Sequence, residues 1–162
     1  MFKKLFGYKE KSVEVIAPVN GDVVDLSEVP DPVFSKKIMG EGTAVKPHDG
    51  KVVSPVDGEV VQLFPTKHAI GLKSKSGAEI LIHIGLETVS MEGEGFEAHV
   101  QQGDQVKVGD PLVTFDLKLV EEKAKSTITP IIITNSNDLS VEGSDKQQAV
   151  SGSTILLTVH NE

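Results

Sequence analysis

Thr66, His68 and His83 are the residues of this chain whose types and spacing could do chemistry, and all three fall within the stretch TKHAIGLKSKSGAEILIHIGLETV. A neutral imidazole is a nucleophile near physiological pH, binds metals and moves protons. Two histidines supply only half of a tetrahedral metal shell, and neither cysteine nor an ordered set of carboxylates accompanies them. No Ser-His-Asp pattern surrounds them, which argues against a hydrolase triad.

The elements that must position these residues are two short strand-like runs joined by KSKSGA. A turn centred between Lys75 and Ser76 sets His68 directly opposite His83. A two-residue shift toward Gly77 keeps both imidazoles on one face, whereas a one-residue slip parts them. Opposed residues of an antiparallel pair have Cβ atoms about 5 Å apart, so the rings could share one small ligand. Ile80, Ile82 and Ile84 alternate toward a core, leaving Leu81 and His83 on the other face with Gly85 bare beside them. Thr66, two residues before His68, belongs on the same face and could orient its ring. Gly71 and Gly85 leave room for a phosphoryl group or another backbone, although glycines in strands equally mark bulges. The competing reading is structural: a strand histidine is commonly a satisfied or half-exposed residue, and threonine is a good strand former.

The surrounding chain reads as β structure. VIAPVNGDVVDL and VVSPVDGEVVQL form an internal repeat that matches Gly21 with Gly58, and VKPHDGKVVSP is a looser third copy. Proline before an Asx-Gly turn and valines after it is the grammar of tight turns joining short strands, continued by Gly103-Asp104 and Gly109-Asp110. The expected fold class is all-β, an antiparallel sandwich or barrel with one or two short helical turns. One turn belongs at PVFS, where Asp31 can cap, Pro32 can open and Gly40 can stop it, presenting Val33 and Phe34 on a surface. DLKLVEEKAKS can supply another.

With 162 residues the chain is long enough for one domain with a substantial core, expected over residues 13–162 behind a tail over 1–12. A net charge of −8 argues against a general nucleic-acid binder. The lack of cysteine excludes disulfides and thiol chemistry, and no apolar run is long enough to span a membrane. The tail, MFKKLFGYKEK, is too short and too charged for a signal peptide. It reads either as a flexible segment or as an amphipathic anchor, with Phe2, Leu5 and Phe6 opposite Lys3 and Lys4, that touches a membrane surface. The expected location is cytoplasmic, extending to the inner face of the membrane.

FPTKHAIGL, ILIHIGLETV and GEGF together closely resemble the glucose-type enzyme IIA of the bacterial phosphoenolpyruvate-dependent sugar phosphotransferase system. The resemblance continues through VPDPVFSKKIMGEGTAVKP, SPVDGEV, VKVGDPLVTFDL and EEKAKSTITPIIITN, and so covers nearly all of the chain after the tail. It implies an antiparallel β-sandwich that accepts a phosphoryl group from the histidine-containing phosphocarrier protein HPr and passes it to the IIB domain of a sugar permease. No cofactor is required for that transfer. The resemblance further implies that His83 is phosphorylated at Nε2, that His68 is its partner, and that Thr66 supports both. It places an apolar patch for partners at Val33, Phe34, Phe64, Leu81, Gly85, Leu86 and Val89, with regulatory targets as further partners. Asp31 and Glu87 read as rim charges that meet basic groups on those partners. Zinc could borrow His68 and His83 if a partner added a carboxylate.

Two other classes compete. The Pro-Val-Asp-Gly-Glu-Val and GDQVKVGD turns suggest a biotinyl- or lipoyl-type carrier, for which Lys75 would be the modified lysine, although its SKS setting lacks the expected neighbours. A purely regulatory binding protein is the other, and it would take no phosphate.

Overall fold

A computed structural model of the chain describes residues 12–161. The tail expected over 1–12 lies outside the described residues except for Ser12, which opens the first strand. The described residues form fourteen short strands: β1 Ser12–Ile16, β2 Gly21–Val24, β3 Glu41–Pro47, β4 Lys51–Val53, β5 Gly58–Leu63, β6 Ala69–Ser74 and β7 Glu79–His83. The second half adds β8 Phe96–Ala98, β9 Gln105–Val106, β10 Pro111–Phe115, β11 Thr129–Ile133, β12 Leu139–Gly143, β13 Gln148–Ala149 and β14 Ile155–Asn161. Eight of them make one sheet in the order β13-β2-β3-β11-β7-β6-β5-β9, and two three-stranded sheets, β1-β14-β12 and β4-β10-β8, complete the architecture. The pairings are antiparallel, as the valine- and isoleucine-rich runs between turn residues require. The all-β antiparallel fold is therefore as expected.

The internal repeat differs from the simple hairpin grammar. Its two Pro-Val-Asx-Gly segments carry the chain between sheets, because β1 pairs with β14 while β2 pairs with β3, and β4 pairs with β10 while β5 pairs with β6. The two corners grip each other instead. Ile16 N donates to Pro55 O at 2.9 Å and Val53 N donates to Pro18 O at 2.8 Å, a reciprocal pair across a local pseudo-twofold.

Strand alternation divides the large sheet between two apolar clusters. Ile70, Leu72, Ile80, Ile82, Ile131 and Ile133 enter the main core. Ala44, Ala69, Leu81 and Ile132 point to the opposite face, where Leu26, Val29, Phe34 and Leu86 cover them. Every residue of β11 is consequently buried. The cover comes from the 3-10 turn Leu26–Glu28 and the helical turn Pro32–Ser35. Asp31 caps the latter by accepting from Val33 N at 3.0 Å, and Pro32 sits in its first turn, where a missing N–H costs nothing. The turn ends at Ser35, and Lys37, with φ 59°, redirects the chain before Gly40. The second expected helix runs Leu117–Lys123, capped by Asp116.

Candidate functional site

His83 is the last residue of β7 and shares a face with Leu81, as alternation predicts. His68 reaches that face by another route. Its expected partner was His83, but Ala69 is the residue opposite His83, and Ile84 N donates to His68 O at 2.7 Å. The hairpin is one residue out of the expected register because its loop holds three residues, Lys75, Ser76 and Gly77. Gly77 adopts φ 98°, a conformation that a Lys75-Ser76 turn lacks a glycine to supply. By itself the slip would part the imidazoles. His68, however, lies in a bend just before β6, and Lys67 ahead of it has φ 61°. The bend returns the ring to the outer face, where the two imidazole centroids lie 5.0 Å apart at 81°.

Each ring is held through Nδ1. His83 Nδ1 lies 2.8 Å from Gly85 O, an acceptor only, so Nδ1 carries the proton and Nε2 the lone pair. His68 Nδ1 is hydrogen-bonded to Thr66 Oγ1, which can either donate or accept. Among the described residues neither Nε2 has a hydrogen-bond partner within the chain. Phe34 packs on His83 with centroids 5.1 Å apart, and Phe64 meets His68 edge-on at 5.5 Å.

Burial dominates the electrostatics. It lowers the pKa of His68 to about 4, with the charge of His83 as a smaller cause in the same direction. It also lowers that of His83, opposed by the hydrogen bond to Gly85 O and by the Asp31 carboxylate. Both rings are neutral at pH 7. The arrangement can offer one nucleophilic nitrogen on His83 and one nitrogen on His68 that is a donor whenever Thr66 donates to Nδ1.

The expected partner patch is only partly at the surface. Val33 and Val89 are exposed, at 40% and 55%, Glu87 is exposed, and Asp31 and Phe64 are half-buried. Phe34, Leu81 and Leu86 are buried, at 3%, 8% and 0%, and Gly85 is buried too. The surface reading of Phe34 is thus corrected. Its turn has few apolar residues of its own, but it lies against an outer sheet face that is itself apolar, and Phe34 becomes the lid of that cluster. Leu81 and Leu86 form the floor beneath His83 for the same reason. The sequence reading passed over Ile38 and Met39, which are exposed at 69% and 36% just beyond the turn. An apolar pair between Lys36-Lys37 and Gly40, with no periodic partners, was the available signal. It also gave Gly85 a role as open space, whereas its carbonyl is the acceptor for His83.

Among the described residues no group of three or more His, Cys, Asp or Glu could hold a metal ion, and His68 and His83 remain a two-ligand set. Lys75 lines a concavity of about 530 Å³ with Ser12, Glu14, Asp57 and Thr158, which shares no residue with the histidine site. No helix among the described residues is long and apolar enough to cross a membrane.

A family model described as "phosphoenolpyruvate-dependent sugar phosphotransferase system, EIIA 1" matches residues 13–139. The chain is 59% identical to the PTS system glucose-specific EIIA component of Bacillus cereus, with 98% of each chain covered. It is 54% identical to the protein of that name from Halalkalibacterium halodurans, again over 98% of both. Among solved structures it is similar to the glucose permease IIA from Mycoplasma capricolum, with a TM-score of 0.85, 44% identity, and 92% of this chain and 96% of that one covered.

Proposed function

Since the chain belongs to the phosphoenolpyruvate-dependent sugar phosphotransferase system EIIA 1 family, and is therefore a phosphoryl-relay component of sugar uptake, we propose that His83 carries the phosphoryl group, with His68 and Thr66 as its catalytic support. The observation that most favours this is the pair of neutral imidazoles 5.0 Å apart, each held at Nδ1.

The donor in this reading is HPr. The Nε2 lone pair of His83 attacks the phosphorus of the donor's phosphohistidine. The donor N–P bond breaks with its electron pair returning to the donor imidazole, and an N–P bond forms at His83. Nδ1 keeps its proton. The positive charge gained by the ring is stabilised by the Gly85 carbonyl and the Asp31 carboxylate, the same two groups that oppose burial in setting its pKa. His68, with Thr66 donating to Nδ1, turns an Nε2–H toward the equatorial oxygens, where charge develops during transfer. Onward transfer to the IIB domain of a permease repeats the step in reverse. The names of the relatives support glucose as the sugar.

Partners dock on exposed Val33, Glu87 and Val89 with half-buried Phe64 and Asp31 beside them, while Phe34, Leu81 and Leu86 support this face from below. Residues 13–162 act as one cytoplasmic domain. Neither ring needs its Nε2 for folding, so zinc could take both nitrogens if a partner added a carboxylate and water a fourth ligand. Calorimetric zinc titration is expected to show weak binding to the free chain that disappears in His68→Ala; equal affinity in that variant refutes the shared site.

Incubation with a phosphoenolpyruvate-driven donor system and intact-mass measurement tests the main proposal. The parent chain is expected to gain one acid-labile, base-stable phosphate and His83→Ala none. Labelling retained in His83→Ala overturns the assignment.

A further inference from the structure

Which nitrogen of His83 is free depends on the Gly85 carbonyl, and the aim of that carbonyl depends on two peptide planes that meet at a glycine with φ 71°. Glycine adopts left- and right-handed conformations with similar ease, so such a junction holds one orientation only if both planes are anchored. The plane between Gly85 and Leu86 is anchored by Leu86 N, which donates to Ser126 O at 2.9 Å. The plane between Ile84 and Gly85 is held at both ends by side chains. Thr88 Oγ1 donates to Ile84 O at 2.7 Å, and Gly85 N donates to Thr129 Oγ1 at 3.4 Å. Thr129 spends its own proton on Thr127 O at 3.0 Å, so its oxygen can only accept from Gly85. Both threonines are buried, at 0% and 1% exposure, and the sequence offered no reason to separate them from ordinary strand residues.

We infer that Thr88 and Thr129 are positioning residues for His83: their hydroxyls clamp the Ile84–Gly85 peptide so that the Gly85 carbonyl keeps the proton of His83 on Nδ1 and its lone pair on Nε2. An imidazole released from that carbonyl favours the other tautomer, with the proton on Nε2, and loses the lone pair at the nitrogen that meets the phosphoryl group. Gly85 itself cannot be replaced by a stiffer residue. An added Cβ would stand 2.7 Å from Thr88 Cγ2 and 2.8 Å from Ser126 O, so the chain uses hydroxyls, not backbone stiffness, to fix the junction.

The inference rests on His83 as acceptor, but the tautomer can be read without any donor. Long-range ¹H–¹⁵N correlation spectra of the ¹⁵N-labelled full chain are expected to show His83 as the Nδ1–H tautomer. Thr88→Val and Thr129→Val remove a hydroxyl at nearly constant shape. Each loosens one anchor of the Ile84–Gly85 plane, so the Nδ1–H to Nε2–H ratio should fall, roughly two- to tenfold, and the double variant further. Phosphoryl acceptance should fall with the fraction of His83 that remains in the Nδ1–H tautomer, and Thr88→Ser and Thr129→Ser should restore both. A folded double valine variant with the parental tautomer overturns the inference. So does a parent ring already in the Nε2–H form. Should the valine variants not fold, serine variants that lose the parental tautomer overturn it and serine variants that keep it support it. A parent chain with the Nδ1–H tautomer that takes no phosphate refutes the acceptor assignment and leaves the clamp standing.

Discussion

The two histidines occupy one site but are held in opposite ways. His83 ends a regular strand, its ring is tied to a backbone carbonyl, and a buried phenylalanine covers it. His68 sits in a bend behind a left-handed lysine, its ring is tied to a side-chain hydroxyl, and its phenylalanine is half-buried. A backbone acceptor cannot reverse its role, whereas a threonine hydroxyl can donate or accept. The difference teaches that, in the proposed relay, one ring would present the same nitrogen at every turnover while the other could adjust its proton as a phosphoryl group arrives and leaves.

The aromatic covers give the largest contrast. Phe34 is buried in the outer apolar cluster, so Phe34→Ala should cost about 3–5 kcal/mol of stability, as Phe→Ala changes in cores do. Phe64→Ala, at a half-buried position, should cost about 1–2 kcal/mol. Urea unfolding measures both, and equal costs would erase the distinction between a rigid and a yielding side of the site.

The rings themselves come next. His68→Gln should still accept phosphate, while onward transfer falls on the order of 10²–10³, the cost of removing one well-placed donor from a transition-state site. Rapid-quench measurement of the two half-reactions decides: equal impairment of both would make the histidines equivalent partners.

The smallest effect is on pH. Both rings have folded-state pKa values below the unfolded value of about 6.5, to about 4 for His68. The unfolded chain therefore binds more protons in that interval, and stability rises with pH there. The contribution is complete above about pH 6.5 and is lost as pH falls toward about 4. Urea midpoints between pH 7 and 4.5 should decline in the parent chain and decline less in His68→Gln; parallel curves would place His68 in water.

Much of the fold was legible because its local signals agree. Asp31-Pro32 opened a helical turn, Asx-Gly pairs marked corners, and Ile80, Ile82 and Ile84 alternated as a half-buried strand should. The strand that ends at His83 was legible for the same reason. What was not legible was set by backbone conformation or by distant packing. The hairpin register turned on whether Lys75-Ser76 or Gly77 took the left-handed position, and the position of His68 turned on a left-handed lysine that no residue type announces. The burial of Phe34, Leu81 and Leu86 depends on an outer layer assembled from residues far apart in sequence.

The reciprocal corners bear on how the chain comes into being during synthesis. Ile16 needs the carbonyl of Pro55, Ala17 N needs that of Thr154 at 2.7 Å, and β1 pairs along its length with β14. The first described strand thus has no edge to join until nearly the whole described chain has followed it from the ribosome. Closing so long a loop before any ladder forms places this topology among the slower folders, on the millisecond-to-second scale of non-local β proteins. Until then the valine-rich opening segment is an unpaired edge, the period in which a nascent β protein is most exposed to aggregation and most dependent on chaperones.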